Sequence, residues 1–246
     1  MVTPGGGLIA EPGGLGRRVP KDFVHVERFG LAALKIATPD HVEHTLPLPP
    51  WAHEFYDQGA EGACVGFGSS HMMSILNKHR FDARWLWDQA KMVDEWPDTN
   101  PGDDQGTSVR AAMDVLRRAG HSRIVRGHRE PVELGEGIDA NRWATTVDEM
   151  RTAIHLGVPV TIGVNWYDAF DFPDQVRSDF FAAKLRPLGS VRGGHCVCVF
   201  AASDRRQAVA FTNNWGASYP RKVWVPYEVM QRLLDEEGEA TLVTDR

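Results

Sequence analysis

The sequence has only three cysteines, no long apolar run and no surplus of basic charge, and each shortage removes a class of protein. Cys64 stands alone. Cys196 and Cys198 are two apart in an apolar run, where a strand would put both on one face about 6 to 7 Å apart, at the far edge of disulfide reach. No disulfide framework is expected, which fits a reducing compartment. No stretch approaches the roughly 18 consecutive apolar residues of a membrane helix, so no membrane partner is expected. The formal net charge is −6. Phosphate backbones are bound by clustered Lys and Arg that release counterions, so nucleic acid is not an expected partner. Arg17-Arg18, Arg117-Arg118 and Arg205-Arg206 are isolated pairs, read as solvated faces. There is no H-E-x-x-H and no paired C-x-x-C, and His195-Cys196-Val197-Cys198 would alternate faces as a strand; no metal site and no cofactor is expected. His121 and His128 read as surface residues in a loop. The glycines of G-G-G-L-I-A-E-P-G-G-L-G have no strand before them, so they are not a nucleotide-binding turn. The first ten residues lack the basic start and apolar core of a secretory signal. With the bias of Arg over Lys, this points to a bacterial cytoplasm, or to a phage-encoded, virion-associated protein.

What is present is the composition of an ordinary globular protein, 42% hydrophobic and 24% charged. A chain of 246 residues can bury one core or form two lobes. Residues 1–44 read as a Gly/Pro-rich arm or tail that orders against something else, for which a protein partner is possible. They lack the long amphipathic helix of an inhibitory pro-segment, so the chain is expected to have no zymogen pro-domain. It should be active as translated or controlled by a partner. Helices are expected from Cys64 to about Lys78, Arg84 to Val93, Ser108 to Arg118 and Val147 to Leu156. The third has Thr107 or Ser108 as N-cap and Gly120 as stop. V-P-V-T-I-G-V, C-V-C-V-F-A-A, A-V-A-F-T-N and K-V-W-V-P read as strands. The class is therefore α+β, helical first and β-rich second.

Four residues in three segments carry possible chemistry. A thiolate in the first turn of a helix faces unpaired backbone N–H groups and the positive end of the helix dipole, and a neighbouring imidazolium stabilises it further. Cys64 sits at such a start, where the thiol pKa is expected to fall. His195, in R-G-G-H-C-V-C-V-F, is the candidate base, with glycines leaving backbone space beside its ring. In F-T-N-N-W-G an Asn oxygen can accept from that imidazole and fix its tautomer, with a Trp excluding water. Gln58, six positions before Cys64, can aim its amide N–H, beside the Cys64 N–H, at an oxygen that becomes negative when a thiolate adds to a carbonyl.

This set resembles the papain family of cysteine peptidases. Q-G-A-E-G-A-C is similar to the family's Gln-to-Cys segment, and His195 and Asn213 follow Cys64 by about 130 and 150 positions, the family's spacing. N-N-W-G is similar to the family's N-S-W-G, which implies that Asn213 orients His195 and Trp215 shields it. Asn214 stands in the serine's place. D-Q-G-T-S-V-R-A-A-M-D-V-L-R-R-A-G resembles a segment that walls the cleft with backbone near a glycine, here Gly106, and Gly194 and Trp215 complete the implied substrate-binding residues. The implied fold is two-lobed, a helical lobe about 58–140 and an antiparallel β-barrel-like lobe about 141–235 within a peptidase domain 45–246, with the cleft between them. Two departures stand out. Glu61 takes the place of a disulfide cysteine, and Val65 that of the aromatic after the nucleophile. The implied activity is hydrolysis of peptide or isopeptide bonds through a Cys64 thioester. Two alternatives stay open: a silent papain-like module that binds a partner, and a transamidase or cell-wall peptide hydrolase with the same residues.

Overall fold

The structure, a computed structural model, describes residues 13–20, 36–96 and 105–245. Strand β1 (Glu43–Thr45) and a single helical turn, α1 (Ala52–Phe55), lead into three helices: α2 (Cys64–Asn77), α3 (Ala83–Lys91) and α4 (Val109–Arg118). A hairpin of β2 (His121–Val125) and β3 (His128–Glu133) follows, then β4 (Ile138–Ala144) and α5 (Val147–His155). The second half holds β5 (Val160–Tyr167), the short α6 (Asp168–Asp171), β6 (Asp174–Val176), β7 (Asp179–Phe181), β8 (Val191–Ser203) and β9 (Ala208–Thr212). β10 (Val223–Pro226), α7 (Tyr227–Asp235) and β11 (Glu239–Asp245) close the chain.

Nine strands form one sheet in the order β4-β11-β5-β8-β9-β10-β7-β6, with β1 added on β8. All these pairs are antiparallel except β10 with β7. The expected barrel-like closure is not found: among the described residues the pairing is an open path, because its end strands β4 and β6 do not pair. β8 is the centre of this arrangement. From His195 to Ser203 every residue is buried, as expected of a strand covered on both faces, which reads as a continuous apolar run rather than an alternation.

Helix α2 packs against β8 and α3, and its two interior glycines explain how closely. A Cβ on Gly66 would lie 2.3 Å from the Ala83 carbonyl oxygen, and one on Gly68 would lie 2.9 Å from Cys196 Sγ. Each glycine costs about 1 kcal/mol of helix propensity, offset by bringing the α2 backbone against α3 on one side and against β8 on the other. α4 starts as expected, with Ser108 Oγ accepting from the Ala111 N–H, and α5 is closed by a capping box between Thr146 and Glu149.

His121 is a correction. It is no loop residue but fully buried in β2, stacked 4.6 Å from the Phe81 ring with Nε2 3.0 Å from Ser70 Oγ. His128 is exposed, though in strand β3.

Candidate active site

Cys64 is the first residue of α2 and follows Ala63, which contributes no side-chain cap, so the first-turn N–H groups of α2 have no competing side-chain acceptor there. His195 lies on β8 opposite Val164 of β5. Its Nε2 is 2.8 Å from Oδ1 of Asn213, the residue following β9, and its Nδ1 has no hydrogen-bond partner. With the Asn oxygen accepting at Nε2, the proton sits on Nε2 and Nδ1 keeps its lone pair.

Asn214 ties the pieces together. Its Nδ2 donates to the carbonyls of Cys196 (2.7 Å) and Cys64 (3.4 Å), so one side chain joins the residue after the histidine to the cysteine. The Gln58 segment joins the same loop, with the Gln58 N–H donating to the Asn214 carbonyl (2.9 Å) and Asp57 bridging to Trp215.

Two tryptophans enclose the imidazole. Trp215 lies 5.1 Å from the His195 ring, as the expected shield, and Trp166 of β5 meets it edge to face at 4.5 Å. Trp166 escaped the sequence reading because it lies beyond the V-P-V-T-I-G-V run, past Asn165. Its Nε1 donates to Asp171 Oδ1 (2.9 Å), whose other oxygen accepts from Arg192 (2.6 Å).

The remaining predicted residues meet across a segment read as a tail. Residues 13–18, G-G-L-G-R-R, run past Cys64. The Gly14 N–H donates to the Gly59 carbonyl (2.9 Å), and Gln58 Nε2 donates to the carbonyls of Gly14 (3.1 Å) and Glu61 (2.7 Å). The N–H groups of Gly16 and Arg17 both donate to the Gly194 carbonyl, at 3.1 and 2.9 Å. The Thr107 N–H donates to the Gly16 carbonyl, and the Arg18 N–H to the Thr107 carbonyl, making a parallel bridge between Arg17 and Thr107. Gly13 lies on the Trp215 ring, and a Cβ on Gly106 would reach within 1.8 Å of the Gly16 oxygen. Gln58, Gly106, Gly194 and Trp215 thus all touch this arm. The backbones of Cys196 and Gly16 lie close enough to the Cys64 thiol to favour its charged form.

The arm changes the electrostatics. Burial pushes the Cys64 thiol up to about 12, against the smaller opposing pulls of the Cys196 and Gly16 backbones and the Arg17 charge. Burial likewise brings His195 down to about 4, partly opposed by the Asn213 bond and reinforced by the Arg192 charge. The expected lowered thiol pKa is therefore not the property of this state. Removing water from both groups disfavours thiolate and imidazolium together, and the pair is held as neutral thiol and neutral imidazole.

Residues 13–18 cross these residues as an extended segment held by backbone hydrogen bonds. Contrary to expectation, Arg17 is not solvated but buried, and Arg18 stacks on Trp96 at 4.2 Å. Cys64, Cys196 and Cys198 are free and buried. Among the described residues no three His, Cys, Asp or Glu side chains are grouped to hold a metal, and no helix is long and apolar enough to cross a membrane.

This architecture is shared with a set of solved structures. The chain has the papain-like fold. Xylellain, a cysteine protease from Xylella fastidiosa, is similar over 95% of this chain and 92% of its own, at 16% identity and a TM-score of 0.62. Procathepsin B S9 from Trypanosoma congolense matches over 95% and 87% at 14% identity and 0.63. Procathepsin L2 proteinase from the larval midgut of Tenebrio molitor matches over 98% and 80% at 13% identity and 0.60. No family model matches the sequence, and no curated protein is similar to it. Within the papain-like fold, the helical elements carry Cys64, and β8 and the loop after β9 carry His195 and Asn213.

Proposed function

We propose that the chain is a papain-type thiol peptidase, held shut in this conformation by residues 13–18. The observation that carries the reading is the His195 Nε2 to Asn213 Oδ1 bond of 2.8 Å with Nδ1 left unpartnered, on the strand that Asn214 ties to Cys64. An imidazole so fixed has one function open to it, to take and return a proton at Nδ1. Once the arm leaves, the Cys64 proton passes to Nδ1 and the thiolate adds to a peptide carbonyl. The resulting oxyanion accepts from Gln58 Nε2 and the Cys64 N–H. The imidazolium then protonates the leaving amine as the C–N bond breaks. Water, deprotonated by the same imidazole, cleaves the thioester and frees the thiol. Supporting the oxyanion role, Gln58 Nε2 already donates to a peptide carbonyl, that of Gly14.

The test is a peptide library digested with the full-length protein, with Gly16→Ala and with Gly16→Ala/Cys64→Ala, products read by mass spectrometry. A Cβ at position 16 would lie 1.9 Å from the Gly62 carbonyl oxygen, a backbone atom, so this substitution expels the arm without touching Cys64 or His195. Cleavage by Gly16→Ala, little by the full-length protein and none by the double variant is expected. Equal products with and without Cys64 sink the peptidase reading and leave a binding module. Products joined to an added amine in place of hydrolysis identify a transamidase.

A further inference from the structure

Arg192 comes near His195 through an irregularity of the sheet. β5 and β8 pair Val164 with His195, Asn165 with Gly194 and Trp166 with Gly193, but the next pair is Tyr167 with Val191, so Arg192 is the extra residue of a β-bulge. Residues three apart in a regular strand point to opposite faces. A bulge re-aims the side chain it carries, and here Arg192 Nη1 donates to Asp171 Oδ2 at 2.6 Å. The other Asp171 oxygen accepts from Trp166 Nε1 at 2.9 Å. Trp166, set opposite the bare Gly193, meets the His195 ring diagonally across the strand pair, with 4.5 Å between ring centres. One carboxylate therefore holds both an indole that flanks the imidazole and a cation three positions before it.

A neutral amide or a backbone carbonyl could accept from the Trp166 N–H without the cost of burying an ionised group. Asp171 is nevertheless a carboxylate paired with a guanidinium, its side chain 6% exposed against 33% for Arg192. What a carboxylate adds over an amide is a negative charge, and Arg192 is what that charge meets. The Arg192 charge disfavours the protonated form of His195, adding to the larger effect of burial. β5 and the segment after β9 face the ring with Val164, Trp166, Asn213 and Trp215, all uncharged. The titratable and charged groups on the other elements are three. Cys64 starts α2, and Arg17 of the arm acts on it while paired with Glu239 of β11 at 3.0 Å. Tyr219 packs on Trp215 at 5.3 Å and is held neutral by burial and by the Asp171 charge.

We propose that Asp171 is a positioning residue for His195: it fixes the indole that flanks the imidazole and cancels the guanidinium charge beside it. It acts through Trp166 and Arg192 and touches no reacting atom itself. The proposal rests on the peptidase reading for the use made of the imidazole, but not for the coupling of the charges. Asp171→Asn keeps an oxygen for the Trp166 N–H and deletes the negative charge, so Arg192 acts on His195 unopposed. Arg192→Gln deletes the cation and leaves the carboxylate. The two changes therefore move the imidazole in opposite directions, and the double variant returns it.

The coupling is read first without turnover. In full-length Gly16→Ala/Cys64→Ala the His195 Cε1–H resonance, identified by its loss in His195→Gln, is followed by NMR across its titration. Asp171→Asn is expected to lower the midpoint by about 0.5 to 1 pH unit and Arg192→Gln to raise it as far. Arg192→Lys, which keeps the charge, and the double Asp171→Asn/Arg192→Gln should stay near the parent. An unmoved midpoint in Asp171→Asn, shifts of one sign in both single variants, or a double variant that keeps either shift overturns the proposal. Loss of packing alone would lower the melting temperature without this reversal of sign. If Asp171→Asn does not fold, Arg192→Gln against Arg192→Lys decides, and equal midpoints in the two overturn the proposal. Turnover is then read in Gly16→Ala with Cys64 present. Asp171→Asn should bring the alkaline limb of kcat/KM down by the same interval and lower activity there about 3- to 10-fold. Asp171→Ala, which also releases Trp166, should lose kcat further with KM unchanged, and equal kcat in the Asn and Ala variants overturns the role of the indole. Midpoints that move as expected in a protein that hydrolyses nothing refute the peptidase reading alone. Hydrolysis whose pH profile ignores Asp171→Asn refutes the positioning role alone.

Discussion

Cys64 is subject to two opposed influences, and their balance depends on six residues elsewhere in the chain. The helix start and the backbone around the sulfur favour thiolate, while exclusion of water disfavours it. With the arm in place exclusion prevails, and a thiol near 12 is thiolate in only on the order of one part in 10⁵ at pH 7. Alkylation of Cys64 by iodoacetamide in the full-length protein should therefore be slower than that of free cysteine across pH 5.5 to 8. In Gly16→Ala it should exceed the free thiol at pH 5.5, because hydration and the helix dipole then act without the arm. Equal rates in the two proteins would mean that the arm does not control the thiol. Asn213→Ala in the Gly16→Ala background should lower kcat by about 10- to 100-fold with little change in KM, since it releases the imidazole from its tautomer rather than altering the cleft. A matched loss in KM would assign Asn213 to substrate binding instead.

At the scale of elements, the close contact of α2 with its neighbours makes Gly66→Ala a sensitive probe. Helix propensity alone predicts a gain of about 1 kcal/mol. The Cβ, 2.3 Å from the Ala83 oxygen, forces α3 away, and overpacking of this kind costs about 1 to 3 kcal/mol. A net loss of stability in urea denaturation is expected, and a gain would show that the α2–α3 contact yields freely. The elements that were legible in the sequence carry local marks. α4 had its Ser108 cap and the Gly120 stop, and β8 had an unbroken apolar run too short for a buried helix. The β2–β3 hairpin did not announce itself, since H-S-R-I-V and H-R-E-P-V-E lack an apolar alternation; only the left-handed Arg126-Gly127 pair, at φ 52° and 83°, marks its turn. α7 was not among the expected helices, because Pro226 stands directly before it and its apolar face, with Met230, Leu233 and Leu234 buried, is short. Cys64, His195, Asn213 and Gln58 could be read from linear spacing. The Arg17–Glu239 contact could not, since its partners lie 222 positions apart and each alone is an ordinary charged residue.

For the whole molecule, three fully buried histidines make acid the weak side of the fold. Burial lowers His71 and His121 to about 3 and His195 to about 4. Each is neutral when folded and takes a proton near 6.5 when unfolded. The unfolded chain therefore binds more protons below pH 6.5, so stability is full above that value and declines as pH falls towards 3 to 4. The slope is up to about 1.4 kcal/mol per pH unit for each histidine. Melting temperature should be flat from pH 7 to 8 and drop steadily from pH 6.5 to 4. His121→Phe, which keeps a ring against Phe81, should flatten part of the drop. A profile unchanged by it would assign the acid sensitivity elsewhere.

Gly14 and Gly16 alternate with residues that do have side chains, and a Cβ at either would run into backbone carbonyl oxygens at 2.2 and 1.9 Å. The passage over the sulfur is thus a sieve that admits this track only to a chain bare at every second position. An antagonist copied from the track has two places for chemical variation, those of Leu15 and Arg17, and a drifting genome has no more freedom than the chemist.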